Sequence, residues 1–559
     1  MKRFWIVFVS ISLLACAPVE EPADLVLMGG RIVTMDDSYP EATALAARDG
    51  LLLAVGTDRE VDNFIGESTE VIDLGGALAV PGLIEGHAHF LSLGRAQMQL
   101  DLNGVADFDE IVAMVETAVA EAEPGQWILG RGWHQETWAS TPEPTVSGLP
   151  YHDKLSAVSP DNPVFLGHAS GHAAMVNALA LEIAGIDRRT PDPPGGEIVR
   201  DGRGRAIGIL RETADSLVGS LIDREWDEAT VRRMVELASQ KSLAHGITSF
   251  QDAGSSFRLI ELLAEMAEAG ELDLRLWIML GENNESLATG LPGYEVYRRG
   301  GGYLTVGGIK RYADGALGAH GAWLLEPYSD LPESVGLNVM PLEELREAAQ
   351  LAAEHELQLC IHAIGDKANR VTLDIFEEVI TARADGHQLR WRIEHAQHLD
   401  PDDIPRFAEL GVIAAMQPIH CTSDGPWVPA RLGEDRARTG AYVWRDLIDS
   451  GAVIAAGTDA PVEPVDTMPD YHAAVTRLMK NGEYFYPEQS MTRMEALRAR
   501  TLDAAFAAFE EDVKGTLEPG KYADITVLSK DILQIPAEEI PDTHVLYTIV
   551  GGKVKYRAE

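Results

Sequence analysis

Short apolar runs separated by longer amphipathic stretches fill the middle of this 559-residue chain. Helical patterns, such as those over 342–355 and 368–383, separate most of these runs. A continuous apolar run is typical of a strand that is buried on both faces of a parallel sheet. The eight predicted strands are Leu78–Ile84, Ile247–Asp252, Arg275–Leu280, Gly308–Ala313, Gln358–Ala363, Trp391–His395, Val412–Gln417 and Val453–Gly457. Strands and helices that alternate in this number predict an α/β fold, a TIM (β/α)8 barrel.

The two ends of the chain have a different pattern, in which strand-like runs are separated by turn signals such as Asp49-Gly50. We expect residues 24–76 and 515–559 to form one small β-sandwich. The barrel is then assigned to residues 77–100 and 228–514. Residues 101–227 are too many for a simple crossover, so they predict an insertion domain after the first barrel strand, with a hairpin over 195–210.

The first residues have the pattern of a targeting segment. Lys2 and Arg3 precede an apolar stretch over 4–14, as in a signal peptide, here assigned to residues 1–15. The sequence Leu13-Leu14-Ala15-Cys16 resembles a bacterial lipobox, which predicts cleavage before Cys16, lipidation of its sulfur and a tether over 16–23. Ala17 in place of an aspartate favours the outer membrane over the inner one. An ordinary secretory signal and a soluble periplasmic or secreted protein stay open.

The net charge of −42 argues against nucleic acid and against electrostatic docking on anionic lipid. We expect a small-molecule substrate as the partner, membrane contact only through the N-terminal lipid, and leave a homodimer open. Beyond Cys16 the chain has only Cys360 and Cys421, which give no disulfide framework.

Polar side chains follow the predicted barrel strands at their carboxyl ends, where TIM barrels carry their functional residues. His87 and His89 are two residues apart, so an extended strand aims both imidazoles at one point. The residues at these ends are His87, His89, Lys310, Asp314, His362, His395 and Asp459. Each has an ordinary alternative: hydrogen-bonded core histidines, a Lys310–Asp314 salt bridge, or Asp459 as a helix cap. Their joint occurrence predicts a metal site.

Several longer motifs accompany these residues. They are PGLIEGHAHF, GHASGHAAMVN, GGIKRYADGALG, IHAIGDKAN, RIEHAQ, AAMQPIH, GTDAPVEP and GTLEPGKYADITVL. With them the chain resembles the amidohydrolase superfamily of metal-dependent hydrolases. Within it, the chain is similar to the amidohydrolase-3 subgroup, which includes YtcJ-like proteins and N-substituted formamide deformylase. The resemblance extends from about Asp24 to Tyr556.

The resemblance implies a ligand set. His87 and His89 would bind the more buried metal together with Asp459. Lys310 would be carboxylated and bridge two metals, and His362 and His395 would bind the second. A single metal with an unmodified Lys310 stays open. Imidazole and carboxylate ligands make zinc the default, with iron, manganese or nickel as alternatives.

The implied activity is hydrolysis of a non-peptide carbon–nitrogen bond, in a linear or N-substituted amide. The expected mechanism uses metal-activated hydroxide, with Asp459 as general acid and base. Other substrates open to such a site are a cyclic imide, a carbamate, an ester or a dipeptide. A catalytically silent, metal-containing binding protein is the alternative from another class.

Candidates for substrate contact lie outside this set. Relatives usually carry Asp-Gly-His where this chain has Ser170-Gly171-His172, so only His172 carries over as a catalytic or substrate-binding residue. Further candidates are Gln417, His420, Arg131, Trp133 and His320, with His134 and Trp138 beside Trp133. For the tryptophans, the interpretation as core of the insertion is favoured. His398 and His472 are interpreted as ordinary surface or helix residues.

Overall fold

A nearly closed barrel of eight parallel strands forms the centre of the molecule, which confirms the predicted α/β barrel. The computed structural model describes residues 22–558 apart from 103, 136–137, 141, 147, 169–172, 194–195, 223–226, 295–297 and 319. The barrel strands, paired in chain order, are β1 (Leu83–Ala88), β2 (Ile247–Ser255), β3 (Arg275–Leu280), β4 (Leu304–Tyr312), β5 (Gln358–Ala363), β6 (Arg392–His395), β7 (Ile413–Met416) and β8 (Ile454–Ala456). Their interior and outer faces are both buried, as the apolar runs predict.

β8 and β1 are the two ends of the barrel sheet and are not paired as strands among the described residues. They are joined instead through residues of the site. The backbone N–H of Asp459 donates to the carbonyl of His87 over 2.8 Å, just beyond the end of β8. Below it the two strands approach so closely that a Cβ at Gly86 would lie 2.6 Å from the carbonyl oxygen of Ala456. Asp459 is therefore fixed to the strand that carries the two histidines.

The first predicted strand is wrong in one respect, because Leu78–Ile84 is divided between two sheets. Leu78–Pro81 pairs antiparallel with Ile525–Leu528 outside the barrel, and the barrel strand begins only at Leu83. Gly82 allows the change of sheet, since a Cβ there would lie 2.1 Å from Oγ1 of Thr248. The other seven predicted strands agree with the structure to within about four residues at each end.

Both termini contribute to two β-sheets that share one hydrophobic core, which includes Leu27, Leu45, Ile525 and Ile549. The four-stranded sheet has the order Leu51–Gly56, Ala44–Arg48, Leu25–Met28, Glu70–Asp73. The six-stranded sheet has the order Lys553–Arg557, Val545–Val550, Ile525–Leu528, Leu78–Pro81, Arg31–Val33, Glu41–Ala42.

The segment between β1 and β2 has its own six-stranded sheet. Its order is Gly196–Arg200, Ala206–Glu212, Ala173–Val176, Val164–His168, Ile128–Trp133, Leu100–Asp101. The first two strands form the antiparallel hairpin predicted over 195–210. Its helices are Phe108–Glu121, Asp153–Val158, Ala178–Ile183 and Ser216–Gly219.

Helices surround the barrel between its strands. The longer ones are Phe90–Gln97, Glu228–Ala244, Phe257–Ala269, Leu342–Glu354, Asp366–Ile380 and Thr467–Thr476. Shorter ones are Asn284–Gly290, Ile404–Leu410, Pro418–Asp424, Glu434–Gly440, Trp444–Ser450 and Arg493–Ala499. Among the residues that the structure describes, no helix combines the length and the apolar character that crossing a membrane requires.

Candidate active site and metal centre

The carboxyl ends of β1 and β8 bring His87, His89 and Asp459 together. Ligand atoms of these three residues lie within 4.8 Å of one another. Nε2 of His89 is 3.3 Å and Nε2 of His87 is 3.7 Å from Oδ1 of Asp459. Asp459 adopts a left-handed backbone conformation with φ 60°, which aspartate tolerates better than most residues. The sharp turn after β8 thus directs its carboxylate back into the barrel mouth.

Lys310 projects into the barrel from β4 and is buried beside His87. Its Nζ lies 3.4 Å from Nε2 of His87. No carboxylate of a described residue forms an ion pair with it, so the predicted Lys310–Asp314 salt bridge is absent among those residues. Burial lowers the pKa of Lys310, because a charged ammonium loses its hydration there.

His395 and His362 stand side by side at the ends of β6 and β5, with ring centroids 4.5 Å apart. Nδ1 of His395 donates to Oε1 of Gln417 over 2.7 Å, which leaves Nε2 for a metal. Gln417, a predicted substrate contact, is 1% exposed and accepts this hydrogen bond, so it orients the His395 ring. Nε2 of His362 has no hydrogen-bond partner among the described residues.

Asp314 anchors the loops around His362 rather than pairing with a lysine. Its carboxylate accepts the backbone N–H groups of Trp323, Ile364 and Gly365 over 2.8 to 2.9 Å. Oδ1 lies 3.6 Å from Nε2 of His362. Burial raises the pKa of Asp314 to about 7. This carboxylate holds the β4 and β5 loops at one fixed spacing.

Glu394 is a functional residue that the sequence analysis missed. It precedes His395 on β6, is fully buried and accepts a hydrogen bond from Nδ1 of His87. Arg392 donates to its two oxygens over 2.8 and 3.0 Å. Burial alone would raise the pKa of Glu394, but Arg392 and His87 outweigh it and lower the pKa to about 2. An ionised Glu394 fixes the His87 tautomer with Nε2 turned to the site.

His420 also reaches the site, from the helix after β7. The amide nitrogen of Gln397 donates to its Nδ1 over 3.0 Å, so the ring proton lies on Nε2. That nitrogen is 4.0 Å from Oδ2 of Asp459 and has no hydrogen-bond partner among the described residues. Ligand atoms of His395, His420 and Asp459 lie within 4.8 Å of one another. These three residues could hold a metal ion, and His420 stays a predicted substrate contact.

The site residues have the protonation states that a metal needs. Burial and the charge of Lys310 lower the pKa of His87 to about 4 and that of His362 to about 3. Burial and the neighbouring His362 lower the pKa of His395 well below its ordinary value. For Asp459 the approach of His89 and the other histidines around it outweighs burial and holds its pKa well below its usual range. Neutral imidazoles and an ionised carboxylate are the ligand forms of these groups.

A divalent metal fits these residues on two observations. Nε2 of His362 and Oδ1 of Asp459 are buried polar atoms with no hydrogen-bond partner among the described residues, a costly arrangement without a ligand. The donor set of imidazole nitrogens and carboxylate oxygens is one that zinc and similar ions prefer.

Most of the other predicted contact residues lie away from this cluster. Trp133 is fully buried in the core of the insertion, where its ring nitrogen donates to the carbonyl of Leu166 over 2.8 Å. Trp138 packs against the same core, and Arg131 is exposed on the surface. Nε2 of His320 contacts Oδ1 of Asp330 over 3.1 Å. The substrate contact predicted for Trp133 is therefore wrong, and its alternative as insertion core holds.

Two predicted residues, His172 and Cys16, lie outside the described residues. The prediction that His398 is an ordinary surface or helix residue is wrong, because the side chain is 2% exposed and belongs to a loop after β6. Its two ring nitrogens have no hydrogen-bond partner among the described residues. The position of His398 shortly after an apolar strand does not by itself indicate that the side chain is buried.

Comparison with known proteins finds relatives that are similar over most of this chain. A sequence model described as "Amidohydrolase family" matches residues 70–556. Protein LONG AFTER FAR-RED 3 of Arabidopsis thaliana is 36% identical over 547 residues, which cover 96% of this chain and 92% of that protein. Putative amidohydrolase YtcJ of Bacillus subtilis is 31% identical over 539 residues, which cover 94% of this chain and 98% of that protein.

N-substituted formamide deformylase of Arthrobacter pascens is 29% identical over 542 residues, which cover 95% of this chain and 98% of that protein. Among solved structures, an uncharacterized metal-dependent hydrolase from Pyrococcus horikoshii superimposes with a TM-score of 0.75 at 28% identity. That superposition covers 92% of this chain and 99% of the other. Both similarities cover more than nine tenths of this chain.

Proposed function

This chain belongs to the amidohydrolase family, and we propose that it hydrolyses linear or N-substituted amides. The family resemblance stated from the motifs is thereby confirmed, as is a metal-dependent hydrolase that acts on carbon–nitrogen bonds. The choice of amide is our proposal. The relative named N-substituted formamide deformylase supports it, since that protein is similar over nearly the whole chain.

One observation carries the proposal: strands from all around the barrel bring metal-ligating side chains to a single point at its carboxyl end. We propose that His87, His89 and Asp459 hold one ion, that His362 and His395 hold a second, and that Lys310 serves both. Lys310 would do so as a carbamate, because an ammonium has no lone pair for a metal. The ion is zinc in this proposal. A metal bound there would lower the pKa of a bound water to about 7.

The protein's own groups then handle the proton and the substrate. Asp459 is ionised, so its carboxylate can accept a proton from the attacking water and return it to the leaving nitrogen. His89, 3.3 Å from Oδ1 of Asp459, holds that carboxylate in place. His420 has its proton on Nε2 and no partner for it among the described residues, so it is available to hydrogen-bond the substrate beside Asp459.

The location of the protein belongs to the proposal as well. We propose that lipidation of Cys16 anchors it on the outer membrane, facing the periplasm or the cell surface. In this arrangement it would meet small amides and no nucleic acid, alone or as a homodimer. Radiolabelled palmitate incorporation in the wild type, and its loss in Cys16→Ser, is the expected result.

The test of the activity is a panel of N-substituted formamides and acetamides, with release of the amine as the measured product. We expect turnover in the wild type and a loss of at least about 10³-fold in Asp459→Asn, because a general acid and base contributes 10² to 10⁴. Asp109→Asn, an exposed aspartate of the insertion, is the matched control and should keep full activity. Undiminished activity in Asp459→Asn would overturn the mechanism.

A further inference from the structure

Tyr312 is the last residue of β4 and stands one layer above Lys310. Residues two apart on a strand point to the same face, so both side chains project toward the barrel mouth. The ring centroid of Tyr312 lies 5.2 Å from Nζ of Lys310 and 5.6 Å from the ring of His362. Tyr312 also pairs directly with His362 in the β4–β5 register. Its ring therefore forms one wall above the proposed metal ligands.

The hydroxyl group of Tyr312 is available to a ligand. The residue is 41% exposed, whereas Lys310, two residues earlier, is only 2% exposed. Its hydroxyl makes no hydrogen bond with any residue that the structure describes. A phenol hydroxyl has a proton that it can donate in a hydrogen bond. Tyr312 is thus an exposed residue at the carboxyl end of a barrel strand, the end at which such barrels bind their substrates.

Tyr312 and Asp459 lie on opposite sides of the barrel mouth. The eight strands form a ring in chain order, and β4 and β8 are four positions apart, so their ends face each other across the mouth. Asp459 follows β8 and must reach the leaving nitrogen to return a proton. A substrate amide held between the two residues then turns its nitrogen to Asp459 and its acyl side, with the carbonyl oxygen, to Tyr312.

We propose that the Tyr312 hydroxyl donates a hydrogen bond to the carbonyl oxygen of the substrate and stabilises the negative charge that develops there. This inference rests on the proposed amide hydrolysis. When water adds to the carbonyl carbon, the electron pair of the carbon–oxygen double bond moves onto that oxygen. A fixed donor at this position is worth most in the transition state.

The experiment compares Tyr312→Phe with Tyr39→Phe, because Tyr39 is 42% exposed and lies in a turn between two strands of the terminal sheets. Phenylalanine keeps the ring contacts with Lys310 and His362 and removes only the hydroxyl. We expect kcat of Tyr312→Phe to fall by about 10²-fold with KM nearly unchanged, the pattern of a bond made in the transition state. Tyr39→Phe should match the wild type.

A second readout does not depend on turnover. A phosphonamidate carries a charged oxygen in tetrahedral geometry, and calorimetry gives its affinity for each protein. We expect Tyr312→Phe to bind it about 10²-fold more weakly at unchanged metal content, in step with the loss in kcat. Equal analogue affinity and equal kcat in an active wild type and Tyr312→Phe overturn the inference alone. A metal-loaded wild type that hydrolyses no amide overturns the proposed function together with it.

Discussion

Oε2 of Glu394 accepts a hydrogen bond from Nδ1 of His87, and neither side chain is exposed to solvent. The same carboxylate is held from the other side by Arg392. Because Glu394 lies on β6 and His87 on β1, this contact crosses the barrel interior. It sets the orientation of His87, the first of the predicted metal ligands, from inside the barrel.

This relationship predicts the effect of Glu394→Gln. The amide still fits the space, but a carboxylate that orients a ligating histidine and raises its basicity is lost. We expect the affinity for zinc to fall by about 10- to 100-fold, measured by competition with a chromogenic chelator. Glu333→Gln is the control, since Glu333 has no ion-pair partner among the described residues. Equal zinc affinity in Glu394→Gln and in the wild type would contradict this role for Glu394.

Gly457 is the basis of a prediction on stability. A Cβ there would lie 2.4 Å from the backbone nitrogen of His87 and 2.5 Å from Oε1 of Glu85. The backbone of β1 cannot move away without displacing the predicted metal ligands, so we expect Gly457→Ala to lower the free energy of unfolding by about 3 kcal/mol. Differential scanning calorimetry measures the change. Gly202→Ala, with open space around its Cβ, should melt at the wild-type temperature, and an unchanged melting temperature for Gly457→Ala would refute the prediction.

Much of the barrel was predictable because its strands are buried on both faces and read as uninterrupted apolar runs. The same property hid the boundary at Gly82. The run from Leu78 to Ile84 is equally apolar on both sides of that glycine, and only the pairing of Leu78–Pro81 with the C-terminal strand shows two sheets. Such a pairing depends on residues more than 400 positions away, which no local pattern contains.

The candidate site, too, was only partly predictable from the sequence. Histidines, a lysine and an aspartate at strand ends are visible in the sequence because such residues are rare after apolar runs. The sequence does not show Glu394 as a site residue, and it shows Gln417 only as a substrate contact, since the contacts of these residues with His87 and His395 are made across strands. Tyr312 was missed because an aromatic residue at a strand end is usually core, whereas here it is 41% exposed.

Glu495 predicts a pH dependence of stability away from the site. A hydrogen bond from Arg445, reinforced by the backbone N–H of Thr492, lowers the pKa of Glu495 from 4.5 to about 2. A depressed pKa in the folded state stabilises the protein above the unfolded value, and this contribution is lost as pH falls from about 4.5 to about 2. Because the pair is partly exposed, we expect only about 1 kcal/mol.

The measurement for Glu495 is urea denaturation of the wild type and Glu495→Gln at a series of pH values. The variant should be less stable at pH 7, and the difference should shrink through the window from about pH 4.5 to about pH 2. Glu333→Gln controls for the loss of one negative charge. A difference between wild type and Glu495→Gln that does not change over this window would exclude the ion pair as its source.

Lys310 gives the final prediction, on the number of metal ions. It is buried 3.4 Å from Nε2 of His87, between the two proposed ligand groups. As a carbamate it would supply an oxygen to each ion, so wild type purified without chelators and with bicarbonate should hold about two metals per chain. Lys310→Met keeps the packing and removes the nitrogen, and should hold about one.

Lys154→Met, an exposed lysine of the insertion, is the control. Inductively coupled plasma mass spectrometry gives the counts, and equal counts in wild type and Lys310→Met would remove the carbamate bridge from the proposal.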